Sequence, residues 1–180
     1  MQGAGINFER PVILAVVSAR LQHKIWDKER MKQILQKIID KYDAQIIFNF
    51  VSAEREFAMN MHQQLSNHRN IFTNIEANSL RDLCALSTNC DFFFGNEGGA
   101  RHLAQALNVP SFAIFPPGIS KSRWLPEQGE RFAGVSPDDF CSKIEQKNMT
   151  YEQRFNYITV ERVWKGLNPM LNAYLKSKSC

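Results

Sequence analysis

A short turn near the middle of the chain collects several side chains that could do chemistry on a polar ligand. It holds two glycines, an amide, a carboxylate, a guanidinium and an imidazole, namely Asn96, Glu97, Gly98, Gly99, Arg101 and His102. Glycines let a ligand approach the backbone closely, and free N–H groups at a helix start bind a phosphate or a sugar hydroxyl. Two other interpretations stay open on these residues alone: the glycines can serve only a tight connection, and His102 can be a packed or capping histidine.

The apolar pattern on both sides of the turn predicts the elements that position it. A buried strand is predicted over 91–95, and the spacing of Leu103, Ala104 and Leu107 predicts a helix. A second strand is predicted over 111–115. Ligands of such strand–helix–strand units bind beyond the carboxyl ends of the strands. We therefore expect a binding site at this turn.

Strands and helices are predicted to alternate along the rest of the chain. Further strands are expected at 12–17, 45–51, 71–73 and 132–135, and helices are expected to begin at Asp27, at Ser52 or Ala53, at Asn78 or Ser79, at Ser136 and at Thr159. A loop is expected at 118–131 and a frayed end at 176–180. Continuously apolar strands that alternate with helices are typical of a parallel sheet covered on both faces. The sequence thus predicts an α/β fold, a single Rossmann-like doubly wound domain with its core at about 10–140 and a closing helix at about 159–176.

Composition and charge limit the possible functions. The 180 residues are 44% hydrophobic and 22% charged, as in an ordinary globular domain. The net charge of +4 suits an anionic ligand, but Lys and Arg are dispersed, so nucleic-acid binding is not predicted. The sequence shows no signal peptide and no apolar run of the roughly 20 residues that a membrane helix needs. A cytoplasmic protein is therefore expected.

Metal and nicotinamide sites are not indicated. None of the four cysteines, Cys84, Cys90, Cys141 and Cys180, forms a C-x-x-C pair. Cys84 and Cys90 stand in apolar surroundings and are expected to be small core residues of a reducing compartment. No D-x-D motif is present, and no G-x-G-x-x-G fingerprint follows the first strand. The sequence therefore predicts neither a metal nor a cofactor.

The string from Gly95 to Pro117 resembles the signature of glycosyltransferase family 9, the lipopolysaccharide heptosyltransferases and their relatives, commonly G-N-D-S/T-G-P-x-H-L-A-A-A-L-G-x-P-x-x-A-L-F-G-P. The matching positions are Gly95, Asn96, Gly99, His102, Leu103, Ala104, Ala106, Leu107, Pro110, Phe115 and Pro117. Glu97 stands where the family usually has Asp, and it keeps the charge one methylene further out. Gly98 lacks the hydroxyl of the family's Ser or Thr, which could contact a diphosphate, and Ala100 replaces a proline.

A loop after the first strand resembles the same family. Residues 19–26, which contain Ala19-Arg20 and Lys24-Ile25-Trp26, resemble G-A-x-x-x-x-K-x-W-P, although Ser18 replaces the glycine and Asp27 the proline. The family's lysine reaches the phosphates of the sugar nucleotide, which implies that role for Lys24. Without the resemblance, Lys24 would be interpreted as a surface lysine.

A loop after the second strand resembles it too. Residues 50–56 are similar to G-G-P-x-E-x-E, although the glycines are replaced. The family's first glutamate accepts hydrogen bonds from the ribose hydroxyls, and nucleotide-binding α/β folds in general use a carboxylate there. Glu54 is the matching residue, but a glutamate is also favoured at any helix N-terminus. Segments 78–86 and 158–163 resemble helices of the family.

The resemblance implies a two-domain glycosyltransferase of the GT-B type, with the active site between two Rossmann-like domains. Residues 1–180 would be the C-terminal domain, which binds the donor. The N-terminal acceptor domain, with its catalytic aspartate, would be absent from this chain and act in cis or in trans. The implied donor is a nucleoside-diphosphate sugar, and ADP-heptose is the member of that class that the resemblance favours. The implied reaction transfers the sugar with inversion to a lipopolysaccharide-core acceptor in a bacterium. On this basis the isolated chain is expected to be inactive, and at most peripheral to the inner membrane.

The resemblance also implies a role for each candidate residue. Catalysis is assigned to Lys24, Glu97 and His102, which would stabilise the leaving diphosphate or hold the sugar without a metal. Donor binding is assigned to Ser18, Arg20, Lys24, Glu54, Asn96, Glu97, Gly98, Gly99 and His102. Two alternatives remain. One is another nucleotide-using α/β enzyme, such as an epimerase, phosphatase or dehydrogenase, and the other is a solitary nucleotide-sugar sensor or partner-binding module without catalysis.

Overall fold

Parallel strands form the centre of the structure. The computed structural model describes residues 1–125 and 129–175. The strands within them are β1 Val12–Val16, β2 Gln45–Phe48, β3 Ile71–Phe72, β4 Phe92–Asn96, β5 Ser111–Ile114 and β6 Phe132–Val135. Every neighbouring pair is parallel, and the spatial order is β3-β2-β1-β4-β5-β6. This is the order of a doubly wound Rossmann-like sheet, so the predicted fold class is confirmed.

Helices connect the strands. Those in the described ranges are α1 Lys28–Tyr42, α2 Arg55–Gln64, α3 Leu80–Thr88, α4 Gly99–Ala106, α5 Lys121–Trp124, α6 Lys143–Gln146, α7 Tyr151–Phe155 and α8 Val160–Leu175. Single turns of 3-10 helix form at Gln2–Ala4, Gln22–Lys24, Ser52–Glu54 and Pro137–Asp139.

Three predicted helix starts are confirmed by their capping hydrogen bonds. The side chains of Asp27, Ser79 and Thr159 accept from the backbone N–H three residues later, at 2.9, 3.1 and 3.3 Å. Each bond satisfies an N–H group that the first helical turn leaves without a carbonyl partner. The caps thus set where α1, α3 and α8 begin.

The sheet buries both of its faces, which explains the unbroken apolar runs of its strands. Ile13 and Ala15 of β1 belong to a core cluster with residues of α1, α2 and α8. Val12 and Leu14 belong to a second cluster with residues of α3 and α4. Because successive strand residues face opposite sides, consecutive positions of such a strand are mostly apolar.

Several predicted boundaries are wrong in detail. β2 ends at Phe48 because the chain then turns into the 3-10 helix at Ser52–Glu54. The predicted loop at 118–131 contains α5, and the helix start predicted at Ser136 is a single 3-10 turn. α6 and α7 have no counterpart among the predicted elements. Helices of four or five residues carry no apolar stripe at 3.6-residue spacing, so periodicity does not reveal them.

The cysteines follow the expectation except at one position. Cys90 lies in the core, but Cys84 is only partly buried, because α3 directs Leu83 and Leu86 toward the core instead. Cys84 and Cys141 are free thiols. The prediction of a frayed end at 176–180, which includes Cys180 and the last residue of the predicted closing helix, lies outside the described residues.

Gly95 allows β1 and β4 to approach each other. Its φ is +149°, and a Cβ built there would lie 2.2 Å from the carbonyl oxygen of Val16. We predict that Gly95→Ala lowers the free energy of unfolding by at least about 2 kcal/mol, since a strained backbone alone costs roughly 1–3 kcal/mol. Urea unfolding measures the loss. Gly99→Ala is the matched control, because a Cβ at Gly99 meets no atom within 4 Å. Equal losses in both variants would contradict this explanation.

Candidate functional site

A cleft of about 580 Å³, here called the first cleft, lies beyond the carboxyl ends of β1, β2 and β4. The chain winds in opposite directions from β1 and β4, which are neighbours in the sheet, so the cleft lies at the topological switch point. Open α/β sheets bind their ligands at this position. The lining residues are Val16, Ser18, Ala19, Arg20, Leu21, Lys24, Asn49, Val51, Glu54, Leu83, Asn96, Glu97, Gly98, Gly99 and Ala100.

The first cleft brings together all of the predicted site residues except His102. Those that line it are Ser18, Arg20, Lys24, Glu54, Asn96, Glu97, Gly98 and Gly99. They come from the last residue of β4 and from the loops after β1, β2 and β4, which meet because parallel strands end at one edge of the sheet. His102 contacts a lining residue instead, with its Nε2 at 3.3 Å from Oε1 of Glu97.

Sequence reasoning missed the apolar part of the lining. Leu21 and Val51 are 46% and 61% exposed, which is high for large apolar side chains. Asn49 and Leu83 also line the cleft without having been predicted. The usable signal was Val51, which stands where the resembling motif has a glycine. A flat apolar group of a ligand could pack on these side chains.

Glu54 is oriented by Ser18. The Ser18 hydroxyl donates to Glu54 Oε2 at 2.8 Å, and Ser18 is buried. The backbone N–H of Val51 approaches the same oxygen at 3.4 Å. No residue that the structure describes donates to Glu54 Oε1. One carboxylate oxygen therefore fixes the side chain, and the other is available to a hydroxyl of a ligand.

Asn96 uses its side chain to hold the loop after β1. Its Nδ2 donates to the carbonyl oxygen of Val17 at 3.0 Å, and its Oδ1 accepts from the backbone N–H of Trp26 at 3.0 Å. Asn96 is buried, and both ends of the amide are occupied by backbone groups. Its contribution to the cleft is therefore to position the loop that carries Ser18 and Lys24.

The two cations that line the first cleft form no ion pair with a described residue. Within the described ranges, neither Arg20 nor Lys24 has a carboxylate within 4.0 Å. The backbone N–H groups of Gly98 and Gly99, at the start of α4, donate to no described residue. Cations and free N–H groups at a helix N-terminus are together a typical arrangement for binding phosphate.

A buried arginine lies beside the glycine turn. Arg101 is completely buried, and its Nη1 donates to Oε1 of Gln105 at 2.6 Å while Nη2 donates to the carbonyl oxygen of Trp124 at 2.7 Å. Its Nε has no hydrogen-bond partner among the described residues. Burial lowers the pKa of Arg101, and the Glu97 carboxylate opposes this effect. The sequence placed Arg101 on the turn but gave no sign of its burial.

His102 is held in its neutral form. Burial, followed by the neighbouring Arg101 cation, lowers the pKa of His102, while Glu97 raises it in part. Nη2 of Arg101 lies 2.7 Å from Nδ1 of His102, and an imidazole nitrogen accepts from a guanidinium only when it carries no proton. Nη2 of Arg101 also lies 2.9 Å from Nε2 of His102, and that nitrogen lies 3.3 Å from Oε1 of Glu97, so Arg101 and Glu97 are the polar neighbours of the imidazole.

Residues 1–125 and 129–175 contain neither a cluster of metal-ligating side chains nor a membrane-spanning helix. No group of three or more His, Cys, Asp or Glu side chains is arranged to hold a metal ion. No helix in these ranges is long and apolar enough to cross a membrane.

The fold and the switch-point cleft define an α/β protein of the Rossmann-like class. The sequence profile of glycosyltransferase family 9 (heptosyltransferase) matches residues 1–152, and the chain belongs to this family. The family resemblance is thus confirmed. No individual curated protein gives a significant match.

Solved structures share the fold. The glycosyl transferase family 9 protein from Veillonella parvula DSM 2008 superimposes with a TM-score of 0.77 and 17% identity, over 96% of this chain and 49% of its own. The E. coli ADP-heptose lps heptosyltransferase II gives a TM-score of 0.74 and 20% identity, over 96% and 50%. E. coli heptosyltransferase WaaC with ADP-2-deoxy-2-fluoro heptose gives 0.65 and 13%, over 91% and 45%. The present chain thus spans about half the length of these proteins.

The lowered pKa of His102 predicts a pH dependence of stability. Because the unfolded chain binds this proton more readily, the contribution of neutral His102 is complete above the unfolded pKa of about 6.5. It is lost as the pH falls from there toward the folded pKa. We expect the free energy of unfolding to decrease from pH 7 to pH 5, and His102→Gln to flatten that decrease. Chemical unfolding at each pH measures it, with the exposed His23→Gln as control. A His102→Gln profile that superimposes on the parent profile would refute this.

Proposed function

We propose that this chain is the donor-binding, C-terminal domain of a two-domain glycosyltransferase of the GT-B type. The donor is a nucleoside-diphosphate sugar, and the reaction transfers its sugar to a hydroxyl of a glycan acceptor with inversion. The observation that carries the proposal is the first cleft. It combines an oriented carboxylate with unpaired cations and free N–H groups at the switch point of the sheet.

Glu54 binds the ribose in this proposal. Its Oε2 is held by Ser18 at 2.8 Å, so Oε1 projects a fixed acceptor toward the ribose hydroxyls. The exposed side chains of Leu21 and Val51 offer an apolar surface to the base. These contacts recognise the part of the donor that does not react.

Lys24 and Arg20 bind the diphosphate, together with the N–H groups of Gly98 and Gly99. As the bond to the sugar breaks, negative charge grows on the leaving diphosphate, and the same groups stabilise it. Glu97 and His102 hold the sugar or the phosphates at the turn. No metal is required, because the cleft itself supplies the positive charge.

Two of the comparisons support ADP-heptose as the donor. The family carries the heptosyltransferase description. One similar structure, with a TM-score of 0.65, contains ADP-2-deoxy-2-fluoro heptose. We therefore propose ADP-heptose as the donor and a lipopolysaccharide-core glycan as the acceptor.

Catalysis depends on a second domain, in cis or in trans. The reaction needs a base to take the proton of the acceptor hydroxyl, a contribution of roughly 10²–10⁴-fold. In the first cleft, Glu54 is bound to Ser18, and Glu97 lies 3.3 Å from His102. The proteins of similar structure are about twice as long as this chain, which leaves room for a domain that carries the base.

The ribose contact is tested by Glu54→Gln. We expect the variant to bind ADP about tenfold or more weakly, because a hydrogen bond to a charged group contributes roughly 1.5–3 kcal/mol. Binding of 2′,3′-dideoxy-ADP, which lacks the hydroxyls, should change little. Calorimetric titration measures both ligands.

Glu56→Gln is the matched control for that experiment. Glu56 lies on α2 and does not line the first cleft, so the variant removes the same charge from another position. Equal losses for ADP and its dideoxy analogue would place Glu54 outside the ribose site. Strict dependence of ADP binding on magnesium would contradict the metal-free mechanism.

The need for a second domain is tested by turnover. We expect residues 1–180 alone to release no ADP from ADP-heptose in the presence of a lipopolysaccharide-core acceptor, and release to appear when a family 9 N-terminal domain is added. Robust acceptor-dependent turnover by the chain alone would overturn the half-enzyme proposal. ADP binding without turnover in either mixture would favour a nucleotide-sugar sensor.

A further inference from the structure

A second cleft, of about 800 Å³, lies at the same edge of the sheet beyond the carboxyl ends of β5 and β6. The loop after β5, the 3-10 turn Pro137–Asp139 and α6 border it, and α7 contributes one side chain. Its most polar lining residues are Lys121, Ser136, Asp138, Lys143, Lys147 and Arg154. None of them lines the first cleft.

The second cleft carries an excess of positive charge. Lys121 forms an ion pair with Asp139, and Asp138 accepts from Nε2 of Gln146 at 2.9 Å. Lys143 and Lys147 have no carboxylate within 4.0 Å in the part of the chain that is described. Lys143 begins α6 and Lys147 follows its last residue in helical conformation, so the two side chains lie one helical turn apart and repel each other until an anion lies between them.

Ser136 gives an independent sign of a ligand. It lies at the end of β6, lines the second cleft and is only 2% exposed. Ser136 and Asp139 are arranged as a capping box, in which the Asp139 carboxylate accepts from the backbone N–H of Ser136 at 2.7 Å, but the Ser136 hydroxyl itself has no hydrogen-bond partner among the described residues. A buried hydroxyl without a partner is costly, so this group is available to a ligand that enters the cleft.

We propose that the second cleft binds a sugar that carries one anionic group, a phosphate or a carboxylate. Lys143 and Lys147 bind the anionic group through charge-assisted hydrogen bonds, with Arg154 beside them. Ser136 and Asp138 bind sugar hydroxyls. The carboxylates in the lining disfavour a ligand with dense negative charge, such as a nucleic acid. A ligand with one negative charge and several hydroxyl groups therefore matches the lining of the second cleft.

We assign this sugar to the acceptor side of the active site, where the second domain would supply the remaining acceptor contacts. Neighbouring strands are about 4.8 Å apart, so the β5–β6 boundary lies roughly 10 Å along the sheet edge from the β1–β4 boundary. Ligands bound beyond these two boundaries would therefore lie side by side at one edge of the sheet. The identification as acceptor rests on the proposed function, whereas binding of the anionic sugar does not.

The test uses the full chain labelled with ¹⁵N, in the presence of ADP that occupies the first cleft. Glucose 6-phosphate, glucuronate, glucose and inorganic phosphate are titrated separately and followed by NMR. We expect saturable shifts of the amides of Ser136, Asp138 and Lys143 with glucose 6-phosphate or glucuronate. The tighter of the two identifies the anionic group. Glucose and inorganic phosphate should bind at least about tenfold more weakly, since each offers only part of the contacts.

Variants separate this site from a nonspecific charge effect. Lys143→Gln with Lys147→Gln should weaken the tighter ligand at least about tenfold. Arg81→Gln with Lys165→Gln, which removes the same charge from α3 and α8, should leave it unchanged. Ser136→Ala should weaken binding without lowering the melting temperature, because its hydroxyl makes no hydrogen bond that folding would lose.

Each outcome bears on the proposal. Absence of saturable shifts, equal weakening in the two double variants, or inorganic phosphate that binds as tightly as the sugar phosphate would overturn it. ADP affinity is measured on the same samples by calorimetry. If ADP binds but no anionic sugar binds, the proposed sugar site in the second cleft is refuted and the proposed donor site is not affected. Anionic-sugar binding without ADP binding refutes the proposed donor site and leaves the second cleft standing.

Discussion

The first cleft depends on one buried amide. Asn96 ends β4, and its side chain holds the carbonyl of Val17 and the N–H of Trp26, each at 3.0 Å. The loop between these two residues carries Ser18 and Lys24, so the path of that loop is determined from the neighbouring strand. An alternative side chain would leave buried backbone groups without partners, at roughly 1–3 kcal/mol each. The placement of the cations and of the Ser18–Glu54 pair follows from this bridge.

Arg101 connects the element that borders the first cleft with the element that borders the second cleft. It belongs to α4, whose first residues border the first cleft, and it donates to the carbonyl of Trp124 at the end of α5. The first residue of α5, Lys121, lines the second cleft. A fully buried guanidinium thus joins the two elements, and its lowered pKa reflects the cost of keeping it away from water.

The alternation of apolar strands and amphipathic helices is the part of this structure that the sequence predicts. Unbroken apolar strands between amphipathic helices predict the doubly wound sheet, and the resemblance predicts Glu54 near the loop after β1. The sequence does not reveal that Ser18 orients Glu54, because that contact joins residues 36 positions apart and depends on the packing of two loops. The second cleft was not predicted from the sequence, for a different reason. Lys143 begins a helix too short to show periodicity, Lys147 directly follows that helix, and the spacing of the two lysines alone resembles an ordinary solvated surface.

A hydrogen bond between Trp26 and Ile158 connects the segment after residue 152 to the rest of the domain. The carbonyl of Ile158 accepts from Nε1 of Trp26 at 2.9 Å and from Nη1 of Arg30 at 3.0 Å. Beyond it, α8 covers one face of the sheet. The family match, however, stops at residue 152. A fragment cut there would lose the acceptor of a buried indole and bare an apolar face to water. The segment that matches the family is therefore shorter than the segment that packs as one domain. A fusion protein or a domain exchange has to include the chain through Leu175.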